Sequence, residues 1–277
     1  VGGIDLFGSE TNFQDEASFD SRSRGFGLRF GFPLSDKSRF LMRYQFKKDD
    51  IYNVAPGASA IIQAAAGPES RSIIGYDYYL DERNDPIDPT AGWDFLFSQD
   101  FAGAGGTVRY LSNQVLVHAY HQFAEGYTGT QRLDVGYIDG IGQDVRVNDR
   151  FFKGGADFRG FKSGGIGPRD VTTNDALGAE AYAFATTEVT FPNGLPEALG
   201  VRTSLFSDYG YIGRAYVDPI LIGSDTIKTG FAPRVSVGLS VNWKSPFGPV
   251  RLDFAKAVIS QSYDQTQIFS FSAGTSF

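Results

Sequence analysis

The chain has 277 residues, no cysteine, 34 glycines and a formal net charge of −7, with a mean hydropathy of −0.20. Without cysteine there is neither a disulfide framework nor a thiolate metal site, and the acidic balance gives no support to nucleic-acid binding. No stretch approaches the roughly 18 consecutive apolar residues that a membrane helix needs, yet 25 Phe and 14 Tyr beside only 2 Trp and 1 Met make a composition suited to strands.

The chain opens on Val1-Gly2-Gly3-Ile4, already strand-like. A secreted barrel is made with a signal peptide, so the sequence is expected to be a mature form or a fragment of a longer protein. From there it alternates. In 24–32, Phe26, Leu28, Phe30 and Phe32 share one face, with Gly25, Gly27, Arg29 and Gly31 on the other. In 40–47, Phe40, Met42, Tyr44 and Phe46 oppose Leu41, Arg43, Gln45 and Lys47. Val235, Val237, Leu239, Val241 and Trp243 oppose Ser236, Gly238, Ser240 and Asn242, and Phe269, Phe271, Ala273, Thr275 and Phe277 oppose Ser270, Ser272, Gly274 and Ser276. The period is 2, not 3.6. A lipid-facing Arg or Lys near mid-bilayer costs about 2–4 kcal/mol, and the charges keep almost entirely to one parity. Lys256 is the exception, near a strand end where it can snorkel.

Turns divide the chain into thirteen segments, at 1–10, 21–32, 38–50, 70–82, 91–101, 105–112, 114–124, 131–140, 177–191, 200–212, 231–244, 249–259 and 265–277. Merging 91–101 with 105–112 across Gly103, Gly105 and Gly106 as one bulged strand gives twelve, the even number that a bacterial barrel requires. Short connections (Pro33–Lys37, Pro192–Glu197, Ser245–Gly248) mostly alternate with long ones (Asp50–Ser70, Ile141–Ala176, Gly213–Thr229). A soluble sandwich can share the alternation but has no need of this rhythm. The fold expected is an all-β, antiparallel transmembrane β-barrel of the outer-membrane type, 1–277 forming one domain, with both termini on the short-turn side.

The longest connection, 141–176, carries Phe158-Arg159-Gly160-Phe161 among many glycines. A loop of this length is functional or disordered, and its aromatics argue for order. It is expected to fold into the lumen with Arg159 as a buried anchor, since a desolvated Arg needs carboxylates in fork geometry. In 177–191 the odd positions, from Leu177 and Ala179 to Phe191, are expected to face lipid, which turns Glu180 and Glu188 inward. In the next strand Arg202, Ser204 and Asp208 face in.

Phe158-Arg159-Gly160-Phe161, followed by Gly167-Pro168, resembles the lumen-loop motif of the BamA family of outer-membrane protein assembly factors. So do Val201-Arg202-Thr203-Ser204, Phe206, Asp208, Gly210, Gly238, Trp243, Ser245-Pro246, Gly248-Pro249 and the terminal Phe-Ser-Phe-Ser-Ala-Gly-Thr-Ser-Phe. The family motif usually opens with Val, where this chain has Phe158. The resemblance implies that Arg159 pairs with Glu188 and Asp208. It implies about twelve strands of a sixteen-stranded barrel, the first four strands and the periplasmic POTRA domains lying outside this sequence. It implies that the last strand, with Phe269, Phe271, Gly274 and Phe277, forms one side of a lateral seam where client strands pair by β-augmentation. The function implied is the folding and insertion of client β-barrels into the bacterial outer membrane. The partners implied are lipid, the clients and, through the periplasmic domains, accessory lipoproteins, with no covalent chemistry and no cofactor.

Other readings stand beside this one. The Arg159 cluster serves equally as a structural ion cluster or an active gate. A porin or a two-partner-type secretion channel is the alternative function. A barrel enzyme would need a Ser/His or Asp/His constellation, and neither His118 nor His121 has an evident partner. Those two lie on opposite faces and are not expected to bind metal. Asp50, Asp81, Glu82 and Asp85 read as solvated loop charge, and the stretch from Ile61 to Gly67 as a short loop helix.

Overall fold

The computed structural model describes residues 2–217, 226–246 and 248–273, without the side chain of Glu197. Its strands are β1 (Gly2–Asn12), β2 (Asp20–Pro33), β3 (Ser38–Tyr52), β4 (Gly67–Asp81), β5 (Ala91–Gly106), β6 (Tyr110–Ala124), β7 (Tyr127–Gly140), β8 (Arg169–Asp170), β9 (Asp175–Ala176), β10 (Ala181–Phe191), β11 (Val201–Gly213), β12 (Ile227–Lys228), β13 (Ala232–Ser245), β14 (Gly248–Ile259) and β15 (Phe269–Ala273). Two short helices, α1 (Gln14–Ala17) and α2 (Ala60–Ala64), lie in connections. Twelve strands form one antiparallel sheet in the order β1-β2-β3-β4-β5-β6-β7-β10-β11-β13-β14-β15, and β12-β8-β9 form a small second sheet. Among the described residues β1 pairs only with β2 and β15 only with β14.

Register carries the alternation from strand to strand. Leu28 stands between Ile4 and Tyr44, and Leu205 between Val189 and Leu239. Aliphatic and aromatic side chains therefore form one continuous exposed band, with Ile4 77%, Leu6 84%, Leu205 55% and Phe271 61% exposed. A soluble fold would bury such a band; a bilayer covers it. The opposite face holds ion pairs, among them Arg43–Asp77 at 2.8 Å and Arg132–Asp134 at 2.8 Å. Lys256 is exposed on the apolar face, opposite Val237, near the end of β14.

Several strand boundaries differ from the sequence reading: β7 starts at Tyr127 and not at 131, β15 starts at Phe269 and leaves 265–268 in a connection, and two further differences change the course of the chain. Segment 105–112 is not a continuation of 91–101 alone. Its first two residues end β5, a tight turn follows at 107–109, and the rest begins β6. Ser112 sits within β6, opposite Asp100. The glycines do mark an irregularity: the β4–β5 register shifts between Arg71 and Ile73, opposite Gly106 and Ala102. The second difference is at 177–180. Gly178 at φ +67° breaks the strand, β10 starts at Ala181, and Leu177 and Ala179 are wholly buried rather than lipid-facing. Leu177 donates its N–H to Pro168 O at 2.9 Å, and Ala179 exchanges backbone hydrogen bonds with Phe151.

Connections 13–19, 53–66, 141–180 and 260–268 all lie at one end, and the turns 34–37, 82–90, 125–126 and 192–200 at the other. The first group packs into a cap. Phe19, Ile51, Ile61, Ile62, Val147 and Leu177 form an apolar cluster there, so α2 docks on the longest loop. Ser59 donates its N–H to Asp175 at 2.7 Å and its hydroxyl to Asp170 at 2.8 Å, which satisfies both buried acids.

Candidate functional site

Connection 141–180 runs back inside the sheet. Phe158, at 0% exposed, meets Phe161 edge-on at 5.6 Å and Phe184 of β10 at 4.9 Å between ring centroids. Ile166, Tyr182 and Ile212 complete this small apolar cluster. It holds the loop against the wall formed by β10 and β11 and aims the next residue, Arg159, at the wall's carboxylates.

Asp208 accepts three hydrogen bonds from Arg159: from its backbone N at 3.0 Å, Nε at 2.8 Å and Nη2 at 2.6 Å. Arg159 Nη1 donates to Glu188 Oε2 at 2.7 Å and to Ser240 Oγ at 3.2 Å. The guanidinium carbon lies 3.3 Å from the Phe206 ring centroid, a cation–π contact. The carboxylates are themselves fixed. Thr186 Oγ1 donates to Asp208 Oδ1 at 2.8 Å, and Ser204 Oγ to Glu188 Oε1 at 2.6 Å. Burial disfavours the Arg159 cation, but the hydrogen bonds and charge of Asp208, with those of Glu188, outweigh it and leave the pKa above its ordinary value. The structure thus brings Phe158, Arg159, Phe161, Glu188 and Asp208 together. Gly160 sits at φ +91°, and a Cβ there would lie 3.0 Å from Ser236 Cβ; the close approach and the backbone both require glycine.

Sequence reasoning missed the wider network. Arg251 Nη2 stands 3.4 Å from Glu188, and its Nε 2.9 Å from Asp253. Arg71 of β4, wholly buried, pairs with Asp49 and reaches Asp149 at 2.7 Å, tying the loop to the far wall. Arg150 donates to the carbonyls of Val145 at 3.0 Å and Tyr216 at 2.7 Å. Glu180, expected inward, is buried and accepts the Tyr216 N–H at 2.8 Å. The side chains of Arg234 and Asp264, both 0% exposed, pair at 2.9 Å. Parity alone marks such residues as inward without naming their partners. His118 meets Asp94 at 3.0 Å inside the sheet, whereas His121 lies opposite Gly129 on the other face. Asp81 pairs with Arg83 at 2.7 Å and Glu82 with Lys37, while Asp85 accepts the N–H groups of Ile87 at 2.7 Å and Asp88 at 2.9 Å. These acids are thus absorbed by local contacts. Turn 82–90 also presents Asp88 to Arg202 and, at 3.7 Å, to Lys244.

At the C-terminal side Phe269 and Phe271 face outward from β15, 46% and 61% exposed. Gly274 and Phe277 lie outside the described residues. The β14–β15 ladder runs from Phe254↔Phe269 to Val250↔Ala273, five pairs among the described residues, where β2–β3 has fourteen.

The chain matches the Omp85 superfamily domain over residues 2–277. It is 30% identical over 271 residues to a protein of Neorickettsia risticii named outer membrane protein assembly factor BamA, covering 97% of this chain and 36% of that protein. It is 29% identical over 258 residues to the protein of the same name from Nitratidesulfovibrio vulgaris, covering 91% and 31%. The chain therefore spans about a third of the length of these curated relatives. Its fold matches the crystal structure of Haemophilus ducreyi BamA lacking POTRA domains 1–3, with a TM-score of 0.84 and 18% identity, over 98% of this chain and 57% of that one.

Proposed function

The chain belongs to the Omp85 superfamily, and on that premise we propose that it forms the C-terminal part of the barrel of an outer-membrane protein assembly factor. The barrel resides in the bacterial outer membrane. One observation carries the reading: relatives named as assembly factors match almost the whole chain, loop and wall together. Within that reading Arg159, Glu188 and Asp208 anchor the lumen loop, with Phe158, Gly160 and Phe161 fitting it to the wall. Phe269 and Phe271 belong to the seam strand.

The physical step is non-covalent. A client strand adds to an exposed sheet edge through main-chain hydrogen bonds. Among the described residues β15 pairs with β14 and with no other strand. The bilayer supplies the driving force for closing the client, because unpaired backbone polar groups in hydrocarbon cost several kcal/mol each. The partners are lipid and client β-barrels, and accessory lipoproteins join through periplasmic domains outside this sequence.

The reading is tested with a urea-unfolded client barrel added to vesicles that carry the protein. Folding is followed by heat-modifiable mobility and protease protection. Faster client folding than in empty vesicles is the expected result. An equal rate, with the protein itself folded, rejects the reading, and ion conductance without client folding favours a passive channel.

A further inference from the structure

The lumen loop is joined to the last connection as well as to the wall. Gly160 O accepts the Gln267 N–H at 3.0 Å, Phe161 bridges Thr266, and Gln265 O accepts the Lys162 N–H at 2.9 Å. Gly165 O in turn accepts the Gln265 N–H at 2.9 Å. These contacts begin one residue beyond Arg159 and end two residues before β15. Connection 260–268 is itself tied to β13 by a buried ion pair. Arg234 Nε and Nη2 grip the two oxygens of Asp264 at 3.0 and 2.9 Å, and both side chains are 0% exposed. Arg234 Nη1 also donates to the carbonyls of Ala232 at 2.8 Å and Ile212 at 3.1 Å, and Asp264 accepts the Gln261 N–H at 2.7 Å.

We propose that the Arg234–Asp264 pair is a positioning clamp that pins connection 260–268 to β13 where the lumen loop pairs with it, so that the loop and the start of β15 move as one body and the Arg159 anchor sets where the seam strand lies. Within the described residues β15 starts at Phe269, directly after the segment that pairs with the lumen loop. A bidentate pair of buried charges holds geometry tightly, because separating it leaves an uncompensated charge. The loop ladder then passes the position of Arg159 to residues 265–267 through three backbone hydrogen bonds. Displacing the loop therefore displaces the beginning of β15, and freeing Asp264 releases connection 260–268 from β13 and so loosens the ladder that it presents to the loop. The functional side of this clamp rests on the assembly reading; the mechanical side does not.

Hydrogen–deuterium exchange of the protein in lipid vesicles, read in peptides covering 156–166, 201–213 and 260–273, tests the clamp. Asp264→Asn keeps the volume and removes the charge. It is expected to raise exchange across 265–273 by about tenfold or more, the effect of a lost charged hydrogen bond, with 201–213 unchanged. Arg159→Ala is expected to raise exchange in both 156–166 and 265–273. A disulfide between Lys162→Cys and Gln265→Cys, introduced into a chain without cysteine, restores protection of 265–273 in the Asp264→Asn background. Should Asp264→Asn fail to fold, Arg234→Lys keeps the charge, loses the fork and gives the same readout. The clamp is overturned if Arg159→Ala loosens 156–166 while 265–273 keeps its parental protection. Client folding is measured on the same samples. Raised exchange with unchanged client folding upholds the clamp and counts against the assembly reading instead.

Discussion

Truncating Asp208 should release the lumen loop, and doing the same to Glu188 should release it less. The Asp208 side chain is 3% exposed and accepts three hydrogen bonds from Arg159, one from the backbone N–H and two from a side chain that is 5% exposed. Asp208→Ala leaves that guanidinium facing Glu188, Ser240 and, at 3.9 Å, Asp253. Breaking a buried pair from one side costs about 3–5 kcal/mol. Glu188 is 17% exposed, takes one bond from Arg159 at 2.7 Å, and also faces Arg251 and Ser204. Its removal orphans no single partner, and the expected cost is about 1.5–3 kcal/mol, the range for a hydrogen bond to a charged group. In the double variant Arg159→Ala/Asp208→Ala neither member of the closest pair remains, so the two effects should fall short of their sum by about 2 kcal/mol. Urea unfolding in vesicles, followed by tryptophan fluorescence, supplies the global term, and limited proteolysis between residues 141 and 180 supplies the local one. Arg159→Lys should behave nearly as Arg159→Ala, since an ammonium cannot bridge two carboxylates with a planar fork. Additivity within about 0.5 kcal/mol, or a larger cost for Glu188 than for Asp208, would refute the anchoring geometry.

Three further outcomes follow from separate features. Gly160→Ala should destabilise the loop by about 1–3 kcal/mol, because φ is +91° and the new Cβ meets Ser236 at 3.0 Å, whereas Gly57→Ala, with open space around it, should be silent in the same proteolysis assay. Leu205→Arg, on the exposed band of β11, should cost about 2–4 kcal/mol in lipid and reduce the heat-modifiable fraction; a wild-type value would place that face away from the bilayer. The Asp88–Arg202 contact at the short-turn end should act as a weak clasp. Its hydrogen bond to Arg202, chiefly, holds the Asp88 carboxyl below the ordinary carboxylate value. A depressed carboxyl contributes fully above its unfolded pKa of about 3.9 and is lost as pH falls through the lower folded value. Spin labels at Ile87 and Leu195 should therefore give one distance from pH 5 to 8, and a broadened one as the pH falls below the unfolded value of about 3.9 and through the lower folded one, or in 1 M salt, where the screening length is about 3 Å.

The sheet was legible because its information is local. Two residues of opposite character, such as Arg29 and Phe30, declare which face is which, and register then repeats the declaration on the neighbouring strand. Boundaries were less so. Ser112 sits in an alternating stretch that reads equally well as a strand end or a strand middle, and only the three-residue turn at 107–109, with Gly106 at φ +82°, decides. Leu177 and Ala179 fit the parity of β10, but Gly178 in a left-handed conformation folds them into the lumen. Of the Arg159 cluster, parity supplies Glu188 and Asp208. Ser240, Arg251 and Asp253 come from strands 81 to 94 positions later, and no spacing rule reaches them.

That distance is itself informative about what the buried arginines do. Arg71 joins β3 and β4 to the loop at Asp149, Arg150 joins the loop to Tyr216, Arg159 joins it to β10 and β11, and Arg234 joins β13 to Asp264. Each partner set draws on segments far apart in the chain. A buried ion pair adds little net stability over apolar packing of the same volume, yet removing one member is costly. Arranged in series, such pairs contribute less to how firmly the barrel is folded than to the single position that the loop adopts inside it. An apolar plug of equal volume could slide or rotate at small cost, because hydrophobic burial is non-directional. Directional hydrogen bonds from Arg71, Arg150 and Arg159 at three separate points of the loop leave no such freedom. Replacing Arg159, Asp208 and Glu188 together by Met, Leu and Leu should accordingly keep the melting temperature within a few degrees while raising exchange at 156–166. A triple variant that retains parental protection there would show that packing around Phe158 and Phe161 fixes the loop without the ions.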